Sequence, residues 1–373
     1  MLFQLKGFLM QKPMSKLPSI RRRVAAISIL LTLATVASCG AGGNGGTGDS
    51  SEGDPTPVRV GTLQSSSDAP HFIAQENGYF EEEGIDVEFV PFKSSTDMIG
   101  PLGQGQLDVG MGGLAAAMAN GLARGTDLKI VADKGTNIDE YSYPLMVRTE
   151  LIESGQVESI EDLKGKKFAV TAEGAVLDYL LAKGLEGSGV DYDDVELVTM
   201  PFPDMVNGFE NGAIDAAIII EPFATQAVER GVAKKLASTG DWANDETVAV
   251  TMFSGRFADG RHDDAVKYLR AYVKGIRFYL EALESGKFEG PNADDVIDIL
   301  TKHTLVDDPA VYQALTPTSY DPDGMVKLEP ISEMLAFWEA QGFLEGDAAD
   351  LTAEDMVDLS ILKEALKDLP EEG

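Results

Sequence analysis

Two pairs of short segments recur at nearly one spacing along this chain, and that recurrence restricts its fold more than any other feature. Val87-Glu88-Phe89-Val90-Pro91-Phe92 is matched by Val195-Glu196-Leu197-Val198 followed by Pro201-Phe202. Downstream, Gln104-Gly105-Gln106-Leu107-Asp108-Val109-Gly110-Met111 is matched by Asn211-Gly212-Ala213-Ile214-Asp215-Ala216-Ala217-Ile218. A continuous single core has no reason to repeat two segments at one offset, so the chain reads as two α/β lobes of similar plan.

Within each lobe, β-branched apolar runs alternate with helical patterns, the mark of parallel sheets covered by helices. Strands are expected at 58–63, 87–92, 107–111 and 129–132 in the first lobe. In the second they are expected at 143–148, 167–171, 195–200, 214–220 and 233–237, with a further strand at 248–253. Helices are expected at 70–83, 95–104 and 114–124, then at 176–186, 204–211 and 223–230. Beyond residue 257 the pattern turns wholly helical, at 263–285, 293–302, 329–341 and 353–368.

The first 39 residues read as an address. Lys6, Lys12, Lys16, Arg21, Arg22 and Arg23 are the only charges before Cys39, and they precede an apolar run from Val24 to Ala37. A cationic start and a short apolar stretch fit a secretory signal, being shorter than the ~20 residues of a membrane span. Val36-Ala37-Ser38-Cys39 resembles the bacterial lipobox, in which the cysteine is lipidated, and the Gly/Ser-rich residues 40–57 then serve as a flexible tether. Acidic residues number 62 against 30 basic, for a net charge of −32. Such a chain lacks the basic face that phosphate neutralisation needs, so nucleic acid is excluded as a partner. The single cysteine excludes an internal disulfide framework, and His71, His262 and His303 have no metal-ligand spacing.

No nucleophile elbow, Walker phosphate loop or zinc-protease motif occurs. Gly110-Met111-Gly112-Gly113-Leu114-Ala115 fits the dinucleotide fingerprint but follows the third expected strand instead of the first. It reads better as glycines that let backbone approach a ligand at a strand end. No cofactor is called for. Ligands of open α/β sheets lie beyond the carboxyl ends of strands, which makes the strand-to-helix loops the candidate site. In lobe one these supply Ser65, Ser66, Asp68 and His71, then Lys93, Gly112, Gly113, Thr136 and Asn137; in lobe two, Thr171, Glu173, Gly174, Glu221 and Phe223. Competing structural roles are turn and cap chemistry for the serines at 65–67, a capping box for Ser94 with Asp97, and plain packing for His71. Asp68, Glu173 and Glu221 in these loops lean the reading toward an amino-bearing nitrogen heterocycle.

Four runs resemble one known family. Ala74 with Gln75-Glu76-Asn77-Gly78-Tyr79-Phe80-Glu81-Glu82-Glu83-Gly84-Ile85-Asp86-Val87 is similar to the A-x-E-x-G-Y-F-x-x-E-G-L-D-V run of the solute-binding proteins of nitrate, sulfonate, taurine and thiamine-pyrimidine-precursor importers. Gln104 to Val109, Glu161-Asp162-Leu163-Lys164-Gly165-Lys166-Lys167-Phe168-Ala169-Val170 and Ile220-Glu221-Pro222-Phe223 resemble three further motifs of that family. The resemblance implies a two-lobed periplasmic-binding-protein-like type II fold. Lobe one would comprise residues 58–140 and 246–373, lobe two 141–245, with the C-terminal helices packed on lobe one. It further implies a monomeric, lipid-anchored, extracytoplasmic receptor that delivers a small solute to an ABC permease and its ATPase, without being an enzyme. The same fold houses a pyrimidine-precursor synthase with a cysteine-rich motif. That alternative is disfavoured here because the sole cysteine lies in the lipobox; a solute-sensing ectodomain is the third reading.

Overall fold

The computed structural model describes residues 55–138 and 141–370; the expected signal, Cys39 and most of the tether lie outside them. Among the described residues twelve strands run in chain order: β1 (Thr56–Thr62), β2 (Ile85–Pro91), β3 (Val109–Gly113), β4 (Leu128–Asn137), β5 (Pro144–Arg148), β6 (Lys167–Val170), β7 (Glu196–Thr199), β8 (Ala216–Ile218), β9 (Ala233–Ser238), β10 (Glu246–Ser254), β11 (Leu283–Glu284) and β12 (Lys287–Phe288). The last two make a short antiparallel hairpin, which interrupts the region expected to be wholly helical and ends the helix expected over 263–285 at Glu281. The first ten form two five-stranded sheets, ordered β2-β1-β3-β10-β4 and β7-β6-β8-β5-β9. The two orders superpose position by position, and the sequence repeat falls on equivalent strands, β2 with β7 and β3 with β8. β1 begins at Thr56, inside the stretch read as tether, because Thr56 and Pro57 already pair with Ile85 and Asp86.

The sheets are mixed, which corrects the expectation of parallel ones. β1 is parallel to β2 and β3, and β6 to β7 and β8, whereas β10 runs antiparallel to β3 and β4, and β5 antiparallel to β8 and β9. The reason lies in the crossings. β4 and β9 deliver the chain to the hinge, so the strand that follows each starts at the hinge end of the other sheet. It must run opposite to strands that finish there.

The helices of lobe one are α1 (Ala69–Glu76), α2 (Tyr79–Glu82), α3 (Thr96–Gly103) and α4 (Ala116–Ala123). Those of lobe two are α5 (Thr149–Glu153), α6 (Val176–Leu185), α7 (Phe202–Asn211) and α8 (Phe223–Glu229). After β10 come α9 (Gly255–Ala258), α10 (His262–Glu281), α11 (Ala293–His303), α12 (Pro309–Ala314), α13 (Leu328–Ala340), α14 (Ala353–Met356) and α15 (Ser360–Ala365). The expected continuous helix over 70–83 is broken at Gly78, which adopts φ +75 between α1 and α2. That over 353–368 is interrupted where Val357 bridges Ile130 at the edge of β4.

In α10, Ala265, Tyr268, Leu269, Tyr272, Val273, Ile276 and Tyr279 are buried at helical spacing, and Asp263 and Asp264 complement the positive N-terminus. Each large apolar side chain buried there contributes roughly 1.5–3 kcal/mol, so α10 anchors α1, α2 and α15 to the first sheet. α13 instead reaches lobe two: Phe337 contacts the rings of Tyr179 and Tyr192, and Trp338 is fully buried. Among the described residues no helix is long and apolar enough to cross a membrane.

Candidate functional site

A cavity lies between the lobes at the carboxyl ends of both sheets, with an empty volume of about 460 Å³, part of it open to solvent. Leu63 and Ser67 reach it from the loop after β1, Ser95 from the loop after β2, Gly113 and Leu114 from the end of β3, and Lys134 from β4. Lobe two adds Thr171, Ala175 and Val176 after β6, Phe202 after β7 and Ile220 after β8, while Tyr143 closes the hinge side. Two helices of eight and ten residues, α3 and α6, start at its rim with Ser95 and Ala175 as their N-caps. The positive ends of both therefore face the cavity.

Lys134 dominates the electrostatics. It is 1% exposed, and its Nζ lies 2.7 Å from Oδ1 of the fully buried Asp68. It also donates to Ser67 Oγ at 2.7 Å. Asp68 Oδ2 accepts from Thr62 Oγ1 at 2.6 Å and Ser65 N at 3.2 Å. Burying two charges costs several kcal/mol per ion unless pairing and hydrogen bonds offset it; the ion pair and the bonds to Asp68 Oδ2 and Ser67 oppose that cost, while Asp68 Oδ1 has the ammonium beside it and no hydrogen bond. Lys134 thus lines the cavity with its ammonium held by the Asp68 ion pair and the Ser67 hydrogen bond.

The structure sorts the residues chosen from sequence. Gly113 and Thr171 line the cavity. Gly112 lies against Ser95, where a Cβ would come within 2.4 Å of the serine Cβ. His71 does not reach the site: it is fully buried, stacked on Tyr272 at 3.9 Å and hydrogen-bonded to Thr251 and Tyr268. Burial, then the charge of Lys134, holds its pKa well below the usual histidine value. Asn137 is a hinge brace, its Oδ1 accepting from Tyr143 N and Thr239 Oγ1 and its Nδ2 donating to Ala243 O. Thr136 donates to Asp133 Oδ1. Lys93 and Phe223 line a neighbouring groove.

None of the three acidic residues chosen from sequence is among the residues that line the cavity. Asp68 is taken by Lys134, and Glu173 is exposed. Glu221 turns its carboxylate onto Thr225 N and Oγ1, both at 3.0 Å, in the first turn of α8. Burial raises its pKa to about 7. What Glu221 offers the cleft is its backbone carbonyl, which accepts from Ser66 N at 3.1 Å and Ser66 Oγ at 3.0 Å across the lobes. Ser65 packs its hydroxyl on that of Ser67 at 3.0 Å. The cap at α3 is half of the expected box: Ser94 Oγ accepts from Asp97 N at 3.4 Å. Ser95, the next residue, is the one that faces the cavity.

Ser67, Ser95, Lys134, Tyr143 and Phe202 are the polar or aromatic lining residues that the sequence-based site choice did not include. All but Tyr143, which precedes β5, sit in or beside the strand-end segments it marked, but side-chain direction is set by the turn geometry and has no one-dimensional signal. Opposite the hinge, the lobes meet directly. Ala116 N donates to Gly174 O at 2.9 Å, Val176 N to Leu114 O at 2.8 Å, and Ala115 bridges Ala175 in antiparallel fashion. Asp178 Oδ2 accepts from Gly174 N at 2.9 Å and so fixes the loop that makes this contact. Among the described residues no group of three or more His, Cys, Asp or Glu could hold a metal ion.

Comparison with known proteins places this geometry in context. A candidate aliphatic sulfonates-binding protein of Bacillus subtilis (strain 168) is 26% identical over 324 residues, covering 83% of this chain and 88% of that one. The alkanesulfonate-binding protein SsuA of Xanthomonas axonopodis pv. citri, solved with MOPS bound, superposes with a TM-score of 0.65 at 19% identity, covering 82% of this chain and 99% of its own. The nitrate-binding protein NrtA of Synechocystis PCC 6803 gives a TM-score of 0.67 at 17% identity, covering 85% and 89%. The fold is thus that of periplasmic binding proteins. With residues 51–284 matching the family's model, the chain belongs to the NMT1-like family.

Proposed function

We propose that this chain is the extracytoplasmic solute-binding component of an ABC importer, which closes two lobes around a small nitrogen- or sulfur-containing solute and passes it to the permease and its ATPase. The observation that carries this reading is the interlobe cavity, whose polar groups come from both lobes, so a solute gains its full set of contacts only when the lobes meet. Binding energy that depends on closure shifts the population toward the closed state, and transport requires no bond chemistry. Lobe one is built on the sheet of β1–β4 and β10 and lobe two on that of β5–β9, with α13 packing across onto lobe two; a lipid on Cys39 holds the monomer at the membrane.

Within the sulfonate, taurine, nitrate and pyrimidine-precursor range, a compact anionic head is favoured. Lys134, the hydroxyls of Ser67, Ser95 and Thr171, and two helix N-termini face the cavity, whereas the nearby carboxylates are engaged elsewhere. The test is small-angle scattering of the protein with methanesulfonate, taurine, nitrate or an aminopyrimidine. A smaller radius of gyration with an anion supports the reading, and a curve unchanged by every solute contradicts it.

A further inference from the structure

A second groove opens beside the cavity and is continuous with it, since Leu63 and Phe202 line both. Its empty volume is about 850 Å³, part of it open to solvent, and it too spans the lobes. Pro91, Phe92 and Lys93 come from the end of β2, Pro201 to Asp204 from the start of α7, Phe223 from α8, and Leu305 from the turn after α11. Three phenylalanine rings and three prolines make walls of flat apolar surface. Leu305, 53% exposed, is one of two large apolar side chains left open to water among the described residues. Lys93 and Asp204 bring charge to this apolar surface, and Lys93 has no ion-pair partner among the described residues.

We infer that this groove is the subsite for an aromatic body carried by the solute's anionic head. The preferred solute class is then an aryl sulfonate or aryl carboxylate, and not a bare oxyanion. The inference rests on the anion-cleft reading above. A bare oxyanion would fill the inner cavity and leave Phe92 and Leu305 facing water. A planar ring passing Leu63 and Phe202 would cover them and gain the offset or edge contacts that aromatic pairs favour.

The experiment is titration calorimetry of the full chain with methanesulfonate and benzenesulfonate, repeated on Phe92→Ala and Leu305→Glu, two variants outside the buried core. Benzenesulfonate is expected to bind at least about ten-fold tighter than methanesulfonate, and each variant to remove most of that advantage while shifting methanesulfonate less than about two-fold. Equal affinities, or variants that weaken both compounds alike, overturn the aromatic subsite alone. Failure of both compounds to bind the unaltered protein overturns the anion-cleft reading and this inference with it.

Discussion

The backbone N–H of Ala116 in one lobe donates to the carbonyl of Gly174 in the other at 2.9 Å, and Gly174 holds φ +71. A left-handed glycine is thus a contact point between lobes, clamped from behind by Asp178. A Cβ at Gly174 would lie 2.9 Å from Ala116 Cβ and 3.2 Å from the Phe343 ring. Gly174→Ala is expected to weaken solute binding by at least about ten-fold, through roughly 1 kcal/mol or more of backbone strain added to the overlap in the closed form. The unliganded melting point should fall only a few degrees. Calorimetry and a melt on the same sample separate the two effects.

Lys134→Met leaves Asp68 buried without its cation, which is expected to cost about 3–5 kcal/mol of stability in urea unfolding. Lys134→Met combined with Asp68→Asn should recover most of that loss. Neither variant should bind an anionic solute, because the ammonium is gone in both. Binding retained by the double variant would remove Lys134 from the site.

Neighbouring serines are predicted to behave differently. Ser95→Ala and Thr171→Ala each delete a hydroxyl at the cavity, and the loss of a hydrogen bond to a charged group, about 1.5–3 kcal/mol, corresponds to at least about ten-fold weaker binding with stability unchanged. Ser94→Ala removes the Asp97 cap from α3 and should cost up to about 1 kcal/mol of stability while leaving affinity nearly intact. Reversed effects in calorimetry and chemical unfolding would exchange their roles.

That pair of residues also marks how far sequence reaches. The repeat fixes equivalent strands in both sheets, and hydropathy alternation locates the ten strands of those sheets, but neither the last five residues of β4 nor the 283–288 hairpin. The cavity likewise forms at the strand-end loops. Sequence does not carry the antiparallel entry of β5 and β10, which follows from where the chain crosses the hinge. Nor does it carry which of Ser94 and Ser95 turns inward, or that Glu221 caps α8 with its carboxylate while its carbonyl accepts from Ser66. These depend on the turn geometry and on partners distant in the chain.

Burial raises the pKa of Glu221 and of Asp133 to about 7, and that of Asp178 to about 6. A carboxyl whose folded pKa is raised binds its proton more tightly when folded, at about 1.4 kcal/mol per unit. These groups therefore make the protein more stable as pH falls from about 7 toward 4.5, and the gain is lost as pH rises through their folded values. Urea midpoints between pH 5 and 8 should decline with rising pH, and Glu221→Gln should flatten the curve. Midpoints that rise across this range would contradict the buried, protonated state.

The anion cleft is tested most directly by calorimetric titration of the protein with a compact organic or inorganic anion, on the unaltered chain and on Ser95→Ala/Thr171→Ala. One site per chain is expected for an anion such as methanesulfonate or nitrate, with at least about a hundred-fold weaker binding when both hydroxyls are removed. Binding of an aminopyrimidine to the exclusion of every anion, or anion binding untouched by the double substitution, would contradict it.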